Sequence, residues 1–220
     1  MIITIEDIKN ILSAKKIKLS GCLHVGAHKC EELNIYNNLG IKTQDIVWIE
    51  AHPEIVDIMR RRKIPKLNLF HAVITDKDDE DIVLNVANDY QYSSILDIGK
   101  HSIEYPGVVF TNKIYQKSIT IDTLFERNNI GAYTYDFWKF NIKGAELLAL
   151  KGATKSIKYA KVIYIEINSV ELYKNGALIN EIDAFLAQYK FKRILTNMTQ
   201  HKWGDAIYVK CIDNKRFLLQ

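Results

Sequence analysis

The chain has 220 residues, 48% of them apolar and 25% charged, which excludes disorder and suits one domain. Its 30 basic and 26 acidic side chains leave a net charge of +4; the bases are scattered, so neither nucleic acid nor a membrane is an expected partner. The cysteines Cys22, Cys30 and Cys211 are far apart, against a disulfide framework or a structural zinc site, and no apolar run is long enough to span a bilayer.

Thr4 is placed to cap a first helix within residues 1–19, with Asp7 three residues on and Ile5, Ile8, Ile11 and Leu12 on one face. Glu6 and Asp7 do not suit a secretory signal, so a cytoplasmic location is expected. Residues 22–27 are a short apolar run with Gly26 near its end, read as a buried strand and a tight turn. Residues 31–39 read as the helix after it, with Gly40 at the left-handed C-cap. The alternation repeats with a strand over 45–50 and a helix over 54–62 that Pro53 opens.

A third strand is expected over 67–73, and residues 76–81 form an acidic turn. Strand fragments at 81–86 and 117–121 flank a long irregular stretch, 88–113, of a length that points to function. The fourth main strand is 137–142, and Gly144-Ala145-Glu146 opens a helix to Leu150. A fifth strand, 162–168, precedes a helix over 178–188 that aligns Ile179, Ile182, Phe185 and Leu186. Strands 191–195 and 206–210 close the chain, joined by a loop containing Trp203. No internal repeat or linker divides it, so residues 1–220 read as a single domain.

Strands separated by helices imply an α/β fold, with a mostly parallel sheet, helices on both faces and an antiparallel end. Ligands of such sheets bind beyond the carboxyl ends of the strands, at the topological switch point. The first strand ends in His24-Val25-Gly26-Ala27-His28, and the second ends in Glu50, 24 residues after Gly26. An acid there suits the two hydroxyls of an adenosine ribose. A pyrophosphate needs G-x-G-x-x-G, but His28 and Glu31 stand where the other glycines would fall. A carboxylate at the helix start repels a pyrophosphate and tolerates a sulfonium, the charge pattern of S-adenosylmethionine.

Six pieces in order resemble the FkbM-type S-adenosylmethionine-dependent methyltransferases. They are HVGAH with CEEL (24–33), WIEAHP (48–53), YSSIL (92–96), IDTLF (121–125), NIKGAELLALKGA (141–153) and WGDA (203–206). The resemblance implies a Rossmann-like methyltransferase fold with a mostly parallel seven-stranded sheet and an antiparallel last strand. It implies S-adenosylmethionine as cofactor and O-methylation, often of a sugar hydroxyl. Carried over by position, Gly26 and Ala27 wrap the methionine part, Glu50 holds the ribose, and Ala51 and His52 lie near the adenine. Ala72 and Val73 close over the adenine ring, and Asn141 faces the methyl-transfer zone. His24, His28, Glu31 and Ser93 complete the expected cofactor set.

The base candidates are His101, Glu166, His201 and Asp205, and the last two flank Trp203 as a sugar platform. His101, Lys143, Asn168 and Trp203 are expected on the acceptor. The family usually has aspartate where Asn141 stands, and commonly glutamate or glutamine where Lys143 stands. An amide neither takes a proton nor binds a hard cation well, so no metal is expected. Two rivals follow: a lapsed methyltransferase binding cofactor or glycan without turnover, and a nicotinamide-dependent oxidoreductase, which the missing glycines disfavour. The expected partner is a carbohydrate or glycan acceptor, with at most a second copy of the chain in a homodimer. The lysine-, isoleucine- and asparagine-rich composition leans toward an AT-rich genome, a large virus included, which would put the protein in host cytoplasm.

Overall fold

A computed structural model describes residues 1–211. Helix α1 (Ile5–Ala14) starts with the expected capping box: Asp7 N–H donates to Thr4 Oγ1 at 3.1 Å, and Thr4 N–H to Asp7 Oδ2 at 3.2 Å. The first half then runs β1 (Cys22–Val25), α2 (Leu33–Asn38), β2 (Ile46–Glu50), α3 (Pro53–Arg61) and β3 (Asn68–His71). The single strand expected over 67–73 is two strands. The chain leaves the main sheet at Ala72, and β4 (Val73–Ile74) pairs elsewhere.

β5 (Asp81–Ala87), the short α4 (His101–Glu104) and β6 (Phe110–Ile119) follow. The fragment expected at 117–121 is the end of β6, and Ile121 opens α5 (Ile121–Arg127), capped by Thr120 Oγ1 on Thr123 N–H at 3.1 Å. The second half runs β7 (Phe137–Phe140), α6 (Glu146–Lys151), β8 (Val162–Asn168), α7 (Ile179–Gln188), β9 (Phe191–Met198) and β10 (Trp203–Lys210). Trp203 is thus the first residue of β10 and not part of a loop.

The seven-stranded sheet has the order β3-β2-β1-β7-β8-β10-β9, and the three-stranded one β4-β6-β5. All pairings from β3 to β8 are parallel, and β10 is antiparallel to β8 and β9. This is the Rossmann-like methyltransferase architecture, with the last strand reversed. Alternate strand residues feed two cores. Leu23, Ile49, Trp138 and Ile163 pack with α5, α6 and α7, whereas Cys22, Trp48, Phe137 and Tyr164 pack with α1, α2 and α3. Helices therefore cover both faces, and the switch point falls between β1 and β7, where the order turns back. Among the described residues no helix is long and apolar enough to cross a membrane.

Candidate functional site

At the switch point the turn after β1 meets the end of β7 backbone to backbone. Gly26 and Ala27 N–H both donate to the Ile49 carbonyl, at 2.9 and 3.0 Å, and Asn141 N–H donates to Val25 O at 3.0 Å. Gly26 has φ +85°, and a Cβ on it would stand 2.0 Å from the Asn141 carbonyl oxygen. No side chain fits there. Glu50, ending β2, fixes the same turn: its Oε2 accepts His28 N–H at 2.7 Å and its Oε1 accepts His52 N–H at 2.8 Å. Burial pushes the Glu50 carboxyl above its usual range, and the two N–H donors oppose that. Each oxygen keeps a further lone pair for a ligand hydroxyl.

These elements enclose a cavity of about 330 Å³. Of the expected cofactor residues, Gly26, Ala27, His28, Glu31, Glu50, Ala51, His52, Ala72, Val73, Ser93 and Asn141 line it. His52 stacks on Tyr90 with ring centres 4.3 Å apart, and Tyr90 Oη donates to Glu54 at 3.0 Å. Both His52 ring nitrogens are buried without a partner, and burial holds the ring neutral. Ser93 Oγ accepts Ala87 N–H at 3.1 Å, so it braces the rim of the cavity. His24 is a correction. It is buried on the α2 face with Tyr36 and Trp48, its Nδ1 3.0 Å from Tyr36 Oη, and is not in the cavity wall.

Beyond Asn141 the chain makes a strained turn, with φ +54° at Lys143 and +97° at Gly144. Glu146 holds it, accepting Ile142 N–H at 2.7 Å and Gly144 N–H at 2.9 Å. Burial and the nearby Glu166 raise the Glu146 carboxyl to about 7. Lys143 lines the cavity, and its Nζ donates to Asn141 Oδ1 at 2.6 Å and to Glu166 Oε2 at 2.8 Å. Burial alone would lower Lys143; Glu166 outweighs it and holds the ammonium above the lysine range. Lys143 is therefore paired inside the cleft, not a solvent-facing cation.

Glu166 stands behind Lys143 on β8 and is buried. The other three base candidates, Asp205, His201 and His101, are corrections, since none of them lines the cavity. Asp205 is opposite Glu166 in register, but its carboxylate accepts Ile2 N–H at 2.7 Å and Tyr164 O–H. It ties the N-terminal segment to the sheet. His201 pairs through Nδ1 with Glu104 at 3.0 Å and packs on Tyr105, away from the cavity. Trp203 Nε1 donates to Tyr105 Oη at 2.8 Å, and His101 is buried between Tyr105, Tyr92 and Tyr173. Asn168 is buried too. Of the expected acceptor residues, only Lys143 faces the cavity; His101, Asn168 and Trp203 belong to packing beside it.

Sequence reasoning missed Glu32, Lys139 and Tyr90, which line the cavity, and the pinning role of Glu146. Lys139 had a signal, as the one charge inside an apolar strand. The cavity wall carries Glu31, Glu32 and Glu50 together with Lys139, Lys143 and Met1. The diol-ready Glu50 and the unpartnered His52 nitrogens suit an adenosine. Among the described residues no cluster of three or more His, Cys, Asp or Glu side chains could hold a metal ion.

Among curated proteins none matches the sequence. Solved structures give distant likenesses. One is magnesium protoporphyrin IX methyltransferase (ChlM) from Synechocystis PCC 6803 with bound SAM, at 8% identity and TM-score 0.45, over 94% of this chain and 78% of that one. Another is a SAM-dependent methyltransferase from Aquifex aeolicus, at 12% and 0.42, over 93% and 90%. A third is a SAM-dependent methyltransferase from Bacteroides fragilis with S-adenosyl-L-homocysteine, at 11% and 0.42, over 90% and 76%. The family model of the methyltransferase FkbM domain matches residues 24–193. Spanning well over half of the chain, that match makes the protein a member of the FkbM-type methyltransferases, with S-adenosylmethionine as its cofactor.

Proposed function

We propose that the protein methylates a hydroxyl of a sugar within a glycan. The observation that carries this reading is the Asn141–Lys143–Glu166 group at the carboxyl ends of β7 and β8, a paired carboxylate one side chain behind the cavity wall. When bound, S-adenosylmethionine supplies an electrophilic methyl group on a positively charged sulfur. Glu50 holds the ribose hydroxyls, while Ala72, Val73 and His52 frame the adenine. The Gly26–Ala27 turn gives room for the tail.

The acceptor hydroxyl lies against Asn141 and Lys143, in line with the methyl group, and alignment with water excluded supplies most of the acceleration. The hydroxyl becomes strongly acidic only as its bond to carbon forms, so its proton leaves late. One proton then moves from the acceptor oxygen to Lys143 Nζ as another moves from Nζ to Glu166. The lysine ends as it began, and a carboxylate already in an ion pair is base enough. The Tyr92 ring, 6.0 Å from Lys143 Nζ, supports a sugar, whose C–H faces rest on aromatic rings.

Methyl-labelled S-adenosylmethionine incubated with a panel of glycans tests the proposal. A mass shift of one methyl group on a glycan is expected, and label reaching only amines or protein would overturn it. One observation favours a second reading, a lapsed enzyme: Lys143 neutralises the one carboxylate at the transfer zone. Saturable cofactor binding without transfer to any acceptor class distinguishes it. Membership of the family removes the support for a nicotinamide enzyme.

A further inference from the structure

Three of the four β7 residues, Phe137, Trp138 and Phe140, are apolar and buried; the fourth is Lys139, whose side chain is 2% exposed. Its ammonium is ion-paired with Glu32, which precedes α2, and both residues line the cavity. Burial alone would raise Glu32, but His24 when protonated, and Lys139 at neutral pH, hold its carboxyl at about 2. His24, with Nδ1 4.0 Å from Glu32, is itself driven down to about 3 by burial and by Lys139, so it stands there neutral. Its Nε2 is buried without a partner. A buried ion pair contributes little to folding, since an apolar pair of the same volume often serves as well. Placing one in the wall of a cavity, on a strand otherwise built for a core, points to a ligand with charges of both signs.

The position identifies that ligand. Glu50 is on β2 and Lys139 on β7, on opposite sides of β1, so the two subsites are about two strand spacings, roughly 10 Å, apart across the Gly26 turn. Ribose at Glu50, sulfonium over the turn and amino acid at Lys139 is the order of groups along the cofactor. We propose that Lys139 and Glu32 form the subsite for the amino-acid end of S-adenosylmethionine, Lys139 Nζ binding the α-carboxylate and Glu32 the α-ammonium. The ammonium of Lys139 has three protons and Glu32 two oxygens, so each keeps its present partner and adds one from the ligand. The result is a square of alternating charge on a largely buried wall of the cavity. The inference concerns the cofactor and stands whichever hydroxyl is methylated.

Calorimetry with S-adenosylhomocysteine and methylthioadenosine tests it, because the two share adenosine and thioether and differ in the amino-acid end. Wild-type protein is expected to prefer S-adenosylhomocysteine by about 10- to 100-fold, the reach of one or two charge-assisted hydrogen bonds. The double substitution Lys139→Met with Glu32→Leu removes both charges together and strands neither. It should abolish the preference while methylthioadenosine affinity stays within about threefold. A preference that survives the double substitution overturns the proposal, as does an equal loss of both ligands, the mark of a structural role. A measurement on wild-type protein needs no variant to fold: S-adenosylhomocysteine acetylated on its α-amine should bind at least about tenfold more weakly. Undiminished binding of that derivative overturns the proposal as well.

Discussion

On the face of the central sheet covered by α5, α6 and α7, the strands present Leu23, Val25, Val47, Ile49, Trp138, Phe140, Ile163, Ile165 and Ile167, apolar without interruption. On the face covered by α1, α2 and α3, the alternate positions include His24, Lys139, Tyr164 and Glu166, with Asp205 beside them. One set of strands thus serves two purposes through the period-two alternation of its side chains. The first face is pure burial. The second is apolar toward the amino ends, at Cys22, Ile46 and Phe137, and polar toward the carboxyl ends, where the cavity opens. Its charges are tolerated because each has a partner: Lys139 with Glu32, Lys143 with Glu166, Asp205 with Tyr164. Stability should therefore be most sensitive on one face and function on the other.

Trp138→Ala, on the apolar face, makes the largest break. It should destabilise the fold by about 3–5 kcal/mol, through the lost burial and the cavity left behind. It also deprives the Tyr135 carbonyl of the indole N–H that donates to it at 2.7 Å. Urea unfolding gives the number, and a loss under 1 kcal/mol would mean the faces do not differ as described. Glu166→Gln, across the sheet, keeps the shape and removes the charge that Lys143 faces. Methyl transfer should fall about 100-fold, at the lower end of what a general base supplies. Cofactor affinity should move less than about threefold, since Glu166 is not in the cavity wall. Equal losses in both would make Glu166 a support for the cleft instead of a base.

Glu146 joins the two faces, because it opens a helix that packs on the apolar face and yet pins the turn carrying Lys143. Its carboxyl stands at about 7 in the native chain against 4.5 unfolded. Between those values the folded protein keeps a proton that the unfolded chain has released. The stabilisation from this group is therefore complete below about pH 4.5 and is lost as pH rises to about 7. Glu146→Gln cannot titrate, so its melting temperature should decline less than that of wild type across this window. Parallel curves would show that Glu146 ionises normally.

The difference between the faces also sets how far the fold could be read from the residues alone. Buried parallel strands such as β2 and β8 open on continuous apolar runs, 46–49 and 162–165, and α1 and α3 carry start signals at Thr4 and Pro53, so the layered architecture was legible. β6 was not, because Thr111, Asn112, Lys113 and Tyr115 are exposed and only Ser118 is buried. Its pairing with β5 and β4 comes from backbone contacts that no apolar period announces. α5 did carry a helical signal in Ile121, Leu124 and Phe125, masked by the strand-like run before it. In the site, Gly26 and Glu50 could be read because local backbone geometry demands them. Glu32 with Lys139, 107 residues apart, is fixed only by tertiary packing. The same holds for Asp205, whose sequence neighbours suggested a catalytic group and whose actual partners are Ile2 and Tyr164.

The smallest effect tests the edge of the site. His201 and Glu104 are partly exposed, with side chains 35% and 25% accessible, and their contact lies outside the cavity wall. An ion pair so open to water is worth less than about 1 kcal/mol, and only when the imidazole is protonated. His201→Ala should accordingly leave stability within that limit and methyl transfer within about threefold, while Glu166→Gln does not. Both substitutions remove a group that could in principle accept a proton, so the pair isolates position from chemistry. A loss of tenfold or more in His201→Ala, with cofactor affinity unchanged, would move the proton acceptor from the end of β8 to the connection before β10. The polar face would then be a cofactor site alone, with the transfer chemistry carried by the aromatic packing around Tyr105.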